Sequence, residues 1–142
     1  MRKRPQRRQL LRHAGLNETL NISGQITWVY TRDLERTCRF YGEILGLELV
    51  RNEGTARIFK SSDESYIGVC LAFEDRVVEP AGGMITLVTD DVDGWYARLQ
   101  ENGADLRGSP EVLDEFKIYS FFARDPNGYV IEFQQFLTPN NT

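Results

Sequence analysis

The chain has 142 residues, 41% of them hydrophobic, which suits the core of one domain or of two small fused halves. No apolar run approaches the roughly 20 residues that span a bilayer, so we expect no transmembrane helix. Six of the 17 Lys and Arg residues lie in the first twelve positions, and the remaining 11 face all 21 acidic residues. The body therefore carries a charge near −10, which disfavours nucleic-acid binding.

Residues 1–23 carry no strand pattern and begin with a basic cluster. We predict a basic, flexible N-terminal extension or a start codon placed upstream of the folded domain. Mitochondrial targeting is the alternative, although serine is scarce there, and no apolar stretch marks a secretory signal. Cys38 and Cys70 are interpreted as buried thiols of a reduced, cytoplasmic protein.

Residues 24–73 have the pattern of one strand, one helix and three strands. The β-branched and aromatic residues 25–31 predict the first strand. Asp33 is a helix N-cap, apolar side chains then recur at helical spacing, and Gly46 stands where helices end. Residues 47–51, 55–60 and 66–73 predict three short strands.

The same order returns after a linker at residues 74–82. A strand at 84–89 precedes a helix that Asp91 caps, a weak strand at 104–106 follows, and strands at 116–123 and 129–136 end the second unit, residues 83–137. Corresponding residues lie 57 to 60 positions apart, with Ile26 matched to Ile85 at 59. This period indicates an internal duplication, and residues 138–142 remain as a tail.

Alternation along the strands separates two faces. One set is almost wholly apolar, as expected beneath helices: Val29, Val69, Leu71, Ile85, Leu87, Tyr119, Phe121, Ile131 and Phe133. The opposite set mixes aromatic and polar side chains, as small-molecule pockets do: Trp28, Tyr30, Gly68, Cys70, Thr86, Ser120, Phe122, Glu132 and Gln134. We predict an α+β fold of two fused βαβββ units that form a curved mixed sheet, with helices on the convex face and a concave cup.

Glu132 is the unusual member of the second set, because a carboxylate inside an apolar strand needs a partner. A structural ion pair with Lys60 or Arg57 is one interpretation. A ligand-binding or general-base carboxylate is the other.

Two stretches resemble a known family. Ile26-Thr27-Trp28-Val29-Tyr30-Thr31-Arg32-Asp33-Leu34-Glu35-Arg36, with the later Phe40-Tyr41 and Leu45-Gly46-Leu47, resembles the first unit of the vicinal oxygen chelate superfamily. Thr89-Asp90-Asp91-Val92-Asp93 and Asp125-Pro126-Asn127-Gly128-Tyr129-Val130-Ile131-Glu132 resemble its second unit. This superfamily includes glyoxalases, bleomycin resistance proteins and extradiol dioxygenases.

The resemblance implies metal-ligand positions at Ile26, at Gly68 or Cys70, at Met84 and at Glu132. Only Glu132 is an ordinary ligand for a hard divalent ion, so we expect no metal cofactor. We therefore predict a glyoxalase- or bleomycin-resistance-like protein that binds a small, partly aromatic or cationic molecule, and a homodimer as in many relatives. The predicted ligand-binding residues are Trp28, Tyr30, Cys70, Met84, Thr86, Ser120, Phe122, Glu132 and Gln134.

The alternative is an enzyme. It would be either a divalent-metal-dependent lyase, isomerase or dioxygenase of the same superfamily, or a metal-free enzyme with Glu132 as general base.

Overall fold

The structure is a computed structural model that describes residues 20–139. Nearly all of the predicted N-terminal extension and most of the tail lie outside these residues. The first unit comprises β1 (Gln25–Thr31), α1 (Leu34–Arg39), a π-helical turn (Phe40–Ile44), β2 (Glu48–Asn52), β3 (Ala56–Ser62) and β4 (Ser65–Leu71). The second unit comprises β5 (Met84–Val88), α2 (Val92–Glu101), β6 (Asp105–Leu106), β7 (Glu111–Leu113), β8 (Ile118–Arg124) and β9 (Val130–Phe136).

The predicted α+β class is confirmed, and the strands are divided between two sheets. The first sheet has the order β1-β4-β3-β2, and the second has the order β5-β9-β8-β6, with β7 also paired to β8. In each unit the first strand lies parallel to the last one, while the remaining pairs are antiparallel.

Two local details differ from the sequence prediction. The helix that starts at the Asp33 cap becomes a π-helical turn after Arg39, where the amide of Leu45 donates to the carbonyl of Phe40 at 2.9 Å. The three-residue strand β7 was not predicted, because so short a segment offers no alternation to detect.

Helices and sheets enclose one core that draws on both units. The rings of Trp95, on α2, and Phe121, on β8, each lie 5.0 Å from the ring of Phe133 on β9. Every residue of the predicted apolar face belongs to this core or packs against it, except Leu71. The alternation pattern therefore identified the helix-covered face correctly.

Polar contacts tie the two units together at the turn between β8 and β9. The hydroxyl of Tyr41, in the π-helical turn, donates to Oδ2 of Asp125 at 2.7 Å. Nδ2 of Asn127 donates to Oγ1 of Thr37 at 2.9 Å. The Asp-Pro-Asn-Gly turn is thus both a chain reversal and the anchor of the first unit's helix. Among the described residues, no helix is both long and apolar enough to cross a membrane.

Candidate functional site

The strand register places the predicted site residues on the sheet surfaces opposite the helices, which we call the cup face. Trp28 lies beside Gly68 and Tyr30 beside Cys70 in the first sheet. Thr86 and Phe122 flank Glu132 in the second sheet. Neighbours in register point to the same side of a sheet, so these side chains share one face in each unit.

Glu132 occupies the middle of the second sheet and is only 5% exposed. Its Oε1 accepts a hydrogen bond from Oγ1 of Thr86 at 2.8 Å. The structural ion pair considered above does not form, because Arg57 pairs with Glu35 at 2.7 Å and Lys60 lies 4.0 Å from an acid of its own hairpin. Glu132 is therefore a buried carboxylate whose observed partner is a neutral hydroxyl.

Ser120 lies next to this group, on the adjacent strand β8. Its Oγ is buried and has no hydrogen-bond partner among the described residues. Gln134, the residue directly opposite in β9, is half-buried. A buried hydroxyl without a partner is uncommon in proteins and leaves a donor available on this face.

The first unit contributes an aromatic platform. Trp28 remains 38% exposed, and its ring covers Gly68 so closely that a Cβ at that position would lie 2.5 Å from the ring carbon Cζ3. Glycine at position 68 is what allows the indole to lie flat on the sheet. Ile26 and Met84 beside it are 40% and 54% exposed. This part of the cup face is open and apolar.

Two cavities adjoin the platform. One of about 280 Å³ lies at the seam between the units and is lined by Trp28, Met84 and Tyr129, among others. Another of about 360 Å³ covers the first sheet and is lined by residues that include Ile26, Ile58 and Tyr66. The structure thus brings Trp28 and Met84 together, while Glu132 lines neither cavity.

Ile58 and Tyr66 were absent from the predicted site. The register aligns Ile58 with Gly68, and Tyr66 with Ile26, so both belong to the cup face. The alternation of side chains along β3 and β4 indicates this face, but the sequence prediction applied the alternation only from Gly68 onwards.

Cys70 is 8% exposed, and its thiol donates to the neighbouring carbonyl of Leu71 at 3.3 Å. Cys38 is equally buried, and burial raises the pKa of its thiol. A buried thiol of raised pKa is a poor nucleophile. Both cysteines are free and fit the predicted role of small apolar residues.

Residues 20–133 match the family model described as the Glyoxalase/Bleomycin resistance protein/Dioxygenase superfamily. The chain belongs to this superfamily. No curated protein is similar enough in sequence to match the chain.

Solved structures of the superfamily share the fold. Lactoylglutathione lyase from Agrobacterium tumefaciens is 23% identical, with a TM-score of 0.64 over 78% of this chain and 91% of that one. A glyoxalase/bleomycin resistance protein/dioxygenase from Nocardioides is 17% identical, with a TM-score of 0.70 over 95% and 98% of the chains. TioX from Micromonospora sp. ML1 is 19% identical, with a TM-score of 0.66 over 80% and 98%. At these identities the likeness shows the fold alone.

The metal-ligand positions that the resemblance implies can be located in the strand register. Met84 stands two residues before Thr86, the register partner of Glu132, and Ile26 stands two residues before Trp28, the partner of Gly68. By this correspondence between the two units, Gly68 is the residue of the first sheet that matches Glu132. The four residues offer one carboxylate and one thioether.

This donor set does not fit a divalent ion, since catalytic sites commonly supply three protein ligands. Among residues 20–139, no group of three or more His, Cys, Asp or Glu side chains could hold a metal.

Proposed function

We propose that the cup face binds a small, partly aromatic or cationic molecule, with Glu132 as its polar anchor and Trp28 as a stacking surface. One observation carries this proposal: within residues 20–139, a carboxylate that is 5% exposed has a neutral hydroxyl as its hydrogen-bond partner and no counter-charge. Burying a carboxylate without a counter-charge is costly. A cationic group of a ligand would supply the missing charge.

Exposed apolar side chains on the cup face support an aromatic or apolar body for the same ligand. Trp28 and Met84 line one cavity at the seam, and Met84 is two residues from Thr86, which donates to Glu132. An indole face attracts both stacked rings and cations. Ser120, with its unpaired hydroxyl, adds a hydrogen-bond donor. Tyr30, Cys70, Phe122 and Gln134 complete the proposed ligand-binding set.

Thermal-shift and tryptophan-fluorescence titrations with glycopeptide antibiotics and aromatic amines test the proposal. Trp28 is the exposed reporter, because the second tryptophan, Trp95, is half-buried and stacked on Phe133. A ligand should raise the melting temperature and quench fluorescence in the wild type.

Variants locate the site. Glu132→Gln preserves shape and removes the charge, so it should weaken a cationic ligand at least tenfold, about 1.4 kcal/mol. Trp28→Ala should weaken any stacked ligand. The matched controls are Glu101→Gln on α2 and Phe116→Ala in a loop, both exposed. Equal weakening by the controls, or no stabilising compound across a broad library, would reject the proposal.

Turnover separates binding from catalysis. A metal-free enzyme would use Glu132 as a general base, since Thr86 occupies only its Oε1. Proton exchange next to the carbonyl of a bound ligand, lost in Glu132→Gln, would establish that role. Stoichiometric divalent metal in protein purified without a His-tag, lost in Glu132→Ala, would instead establish the metal-dependent alternative.

We also propose a homodimer and a cytoplasmic location. Ile26, Met84, Val88 and Phe136 are between 40% and 62% exposed on the cup face, and an apolar surface of this kind favours association. Light scattering during size-exclusion chromatography tests the dimer. The dimer would be excluded if the wild type is a monomer at all concentrations and Met84→Glu leaves the measured mass unchanged.

A further inference from the structure

A third cavity is lined by none of the predicted cup-face residues. It has a volume of about 350 Å³ and is formed by α1 and the π-helical turn of the first unit together with the start of β6 and the end of β8. Three arginines line it, Arg36, Arg39 and Arg124. The volume is within the range of pockets that hold small molecules.

Seven of the 11 basic residues in positions 20–139 form no ion pair with a carboxylate, and three of these seven line this cavity. Four of the described basic residues form ion pairs with carboxylates: Arg51, Arg57, Lys60 and Arg76. Within residues 20–139, none of the three cavity arginines forms such a pair. Arg124 even lies directly opposite Asp105 across β6 and β8, yet no ion pair joins them.

The carboxylate of Asp125, which also lines the cavity, is engaged elsewhere. Its Oδ2 accepts from Tyr41, and its Oδ1 accepts from the backbone amides of Asn127 and Tyr129. Asp125 therefore does not neutralise the arginines by a direct pair. An anion in the cavity would be attracted by all three guanidinium groups.

The fold also orients the basic residues. Arg36 and Arg39 are three residues apart on one helix, so they lie on the same side of it. Arg124 approaches from the second unit. Guanidinium groups bind phosphate oxygens in pairs through a fixed planar fork.

We propose that this cavity is a binding site for a small phosphate-bearing molecule, such as a phosphate monoester or diphosphate. Three arginines against the two carboxylates of Asp105 and Asp125 leave the lining with a net charge of +1, which an anionic phosphate group would offset. The volume leaves room for a small organic part. The apolar side chains of Phe40 and Ile44 would contact that part.

Calorimetric titration of the full chain with inorganic phosphate, pyrophosphate and citrate tests this proposal. Pyrophosphate should bind, and its affinity should fall with rising salt. Arg39→Gln should weaken the affinity about tenfold or more, and Arg36→Gln with Arg39→Gln should abolish binding. Arg32→Gln is the matched control, since Arg32 is exposed, makes no ion pair among the described residues and does not line the cavity. It should bind within about twofold of the wild type.

Several results would overturn the proposal. They are the absence of phosphate and pyrophosphate binding in the wild type, an equal loss in Arg32→Gln, or a tighter affinity for citrate than for pyrophosphate. If the Arg39 variant does not fold, wild-type NMR decides: pyrophosphate must shift the backbone amides of Gly103 and Ala104, which line the cavity. Unmoved amides would refute the site. Because Trp28 and Glu132 are not involved, failure here leaves the cup-face proposal unaffected.

Discussion

Replacing Tyr41 with phenylalanine should be a strongly destabilising single-atom change. The Tyr41 ring is 0% exposed, and its hydroxyl donates to the carboxylate of Asp125, which is 4% exposed, at 2.7 Å. Hydrogen bonds to charged groups contribute about 1.5–3 kcal/mol, and a buried acceptor left without its donor adds a desolvation penalty. Oδ2 would lose the partner it has in the structure, while Oδ1 keeps two backbone donors.

We therefore expect Tyr41→Phe to lower the free energy of unfolding by about 2–3 kcal/mol. For a domain of this size, the melting temperature should fall by roughly 5–12 °C. Urea unfolding measures the effect as a lower midpoint at unchanged slope. The matched control is Tyr119→Phe, whose hydroxyl donates to Asp93 at 2.6 Å at an exposed position, where water can replace it. Equal destabilisation by both variants would refute the reasoning, because burial would then have no effect on the strength of the bond.

Three further changes test other parts of the structure. Gly68→Ala should destabilise the protein by about 1–3 kcal/mol in urea unfolding, because its methyl would overlap the indole that covers it, whereas Gly83→Ala, with nothing within 4 Å, should not. Thr86→Val removes the observed donor to Glu132 and should cost about 1–2 kcal/mol, and adding Glu132→Gln should recover part of this loss. Burial raises the pKa of Asp125 above its ordinary 3.8 despite opposing hydrogen bonds, so its proton stabilises the folded state at low pH. The free energy of unfolding of the wild type, minus that of Asp125→Asn, should therefore fall as the pH rises through the folded-state pKa of Asp125. A rise in this difference would show that the hydrogen bonds outweigh burial.

Periodicity was sufficient for the fold because the helix-covered face obeys it strictly. Val29, Phe121 and Phe133 are each 1% exposed or less, as their alternation predicts. The duplication offset was wrong by one residue at Ile26 and Ile85, since Ile26 is exposed on the cup face while Ile85 packs against the core. The helix caps give the offset: the amides of Asp33 and Asp91 donate to Oγ1 of Thr31 and Thr89, 58 positions apart, which matches Ile26 with Met84. A one-residue shift reverses the face of every side chain in a strand.

The site was less predictable, because its surroundings depend on contacts between distant residues. Alternation placed Glu132 on the cup face, but only the structure shows that Thr86 is its partner and that Arg57 is already paired with Glu35. The arginine-lined cavity could not be predicted either. The cavity lies between a helix of one unit and strands of the other, and two of its lining residues, Arg39 and Arg124, are 85 positions apart in the sequence. No local sequence pattern predicts a contact over that separation.

The distribution of contacts explains how this scaffold can change its chemistry and keep its fold. Most described hydrogen bonds between the units lie on the helix side or at the turn: Tyr41 donates to Asp125, Asn127 to Thr37, and Arg98 to the carbonyls of Glu43 and Ile44. One described bond involves a cup-face residue, since the amide of Tyr30 donates to the hydroxyl of Tyr129. Exposed cup-face side chains such as Met84 take no part in these bonds, so changing them should cost little stability. Glu132 is the exception, because burying its carboxylate costs free energy. In the proposed function, a cationic group of the ligand would offset that cost.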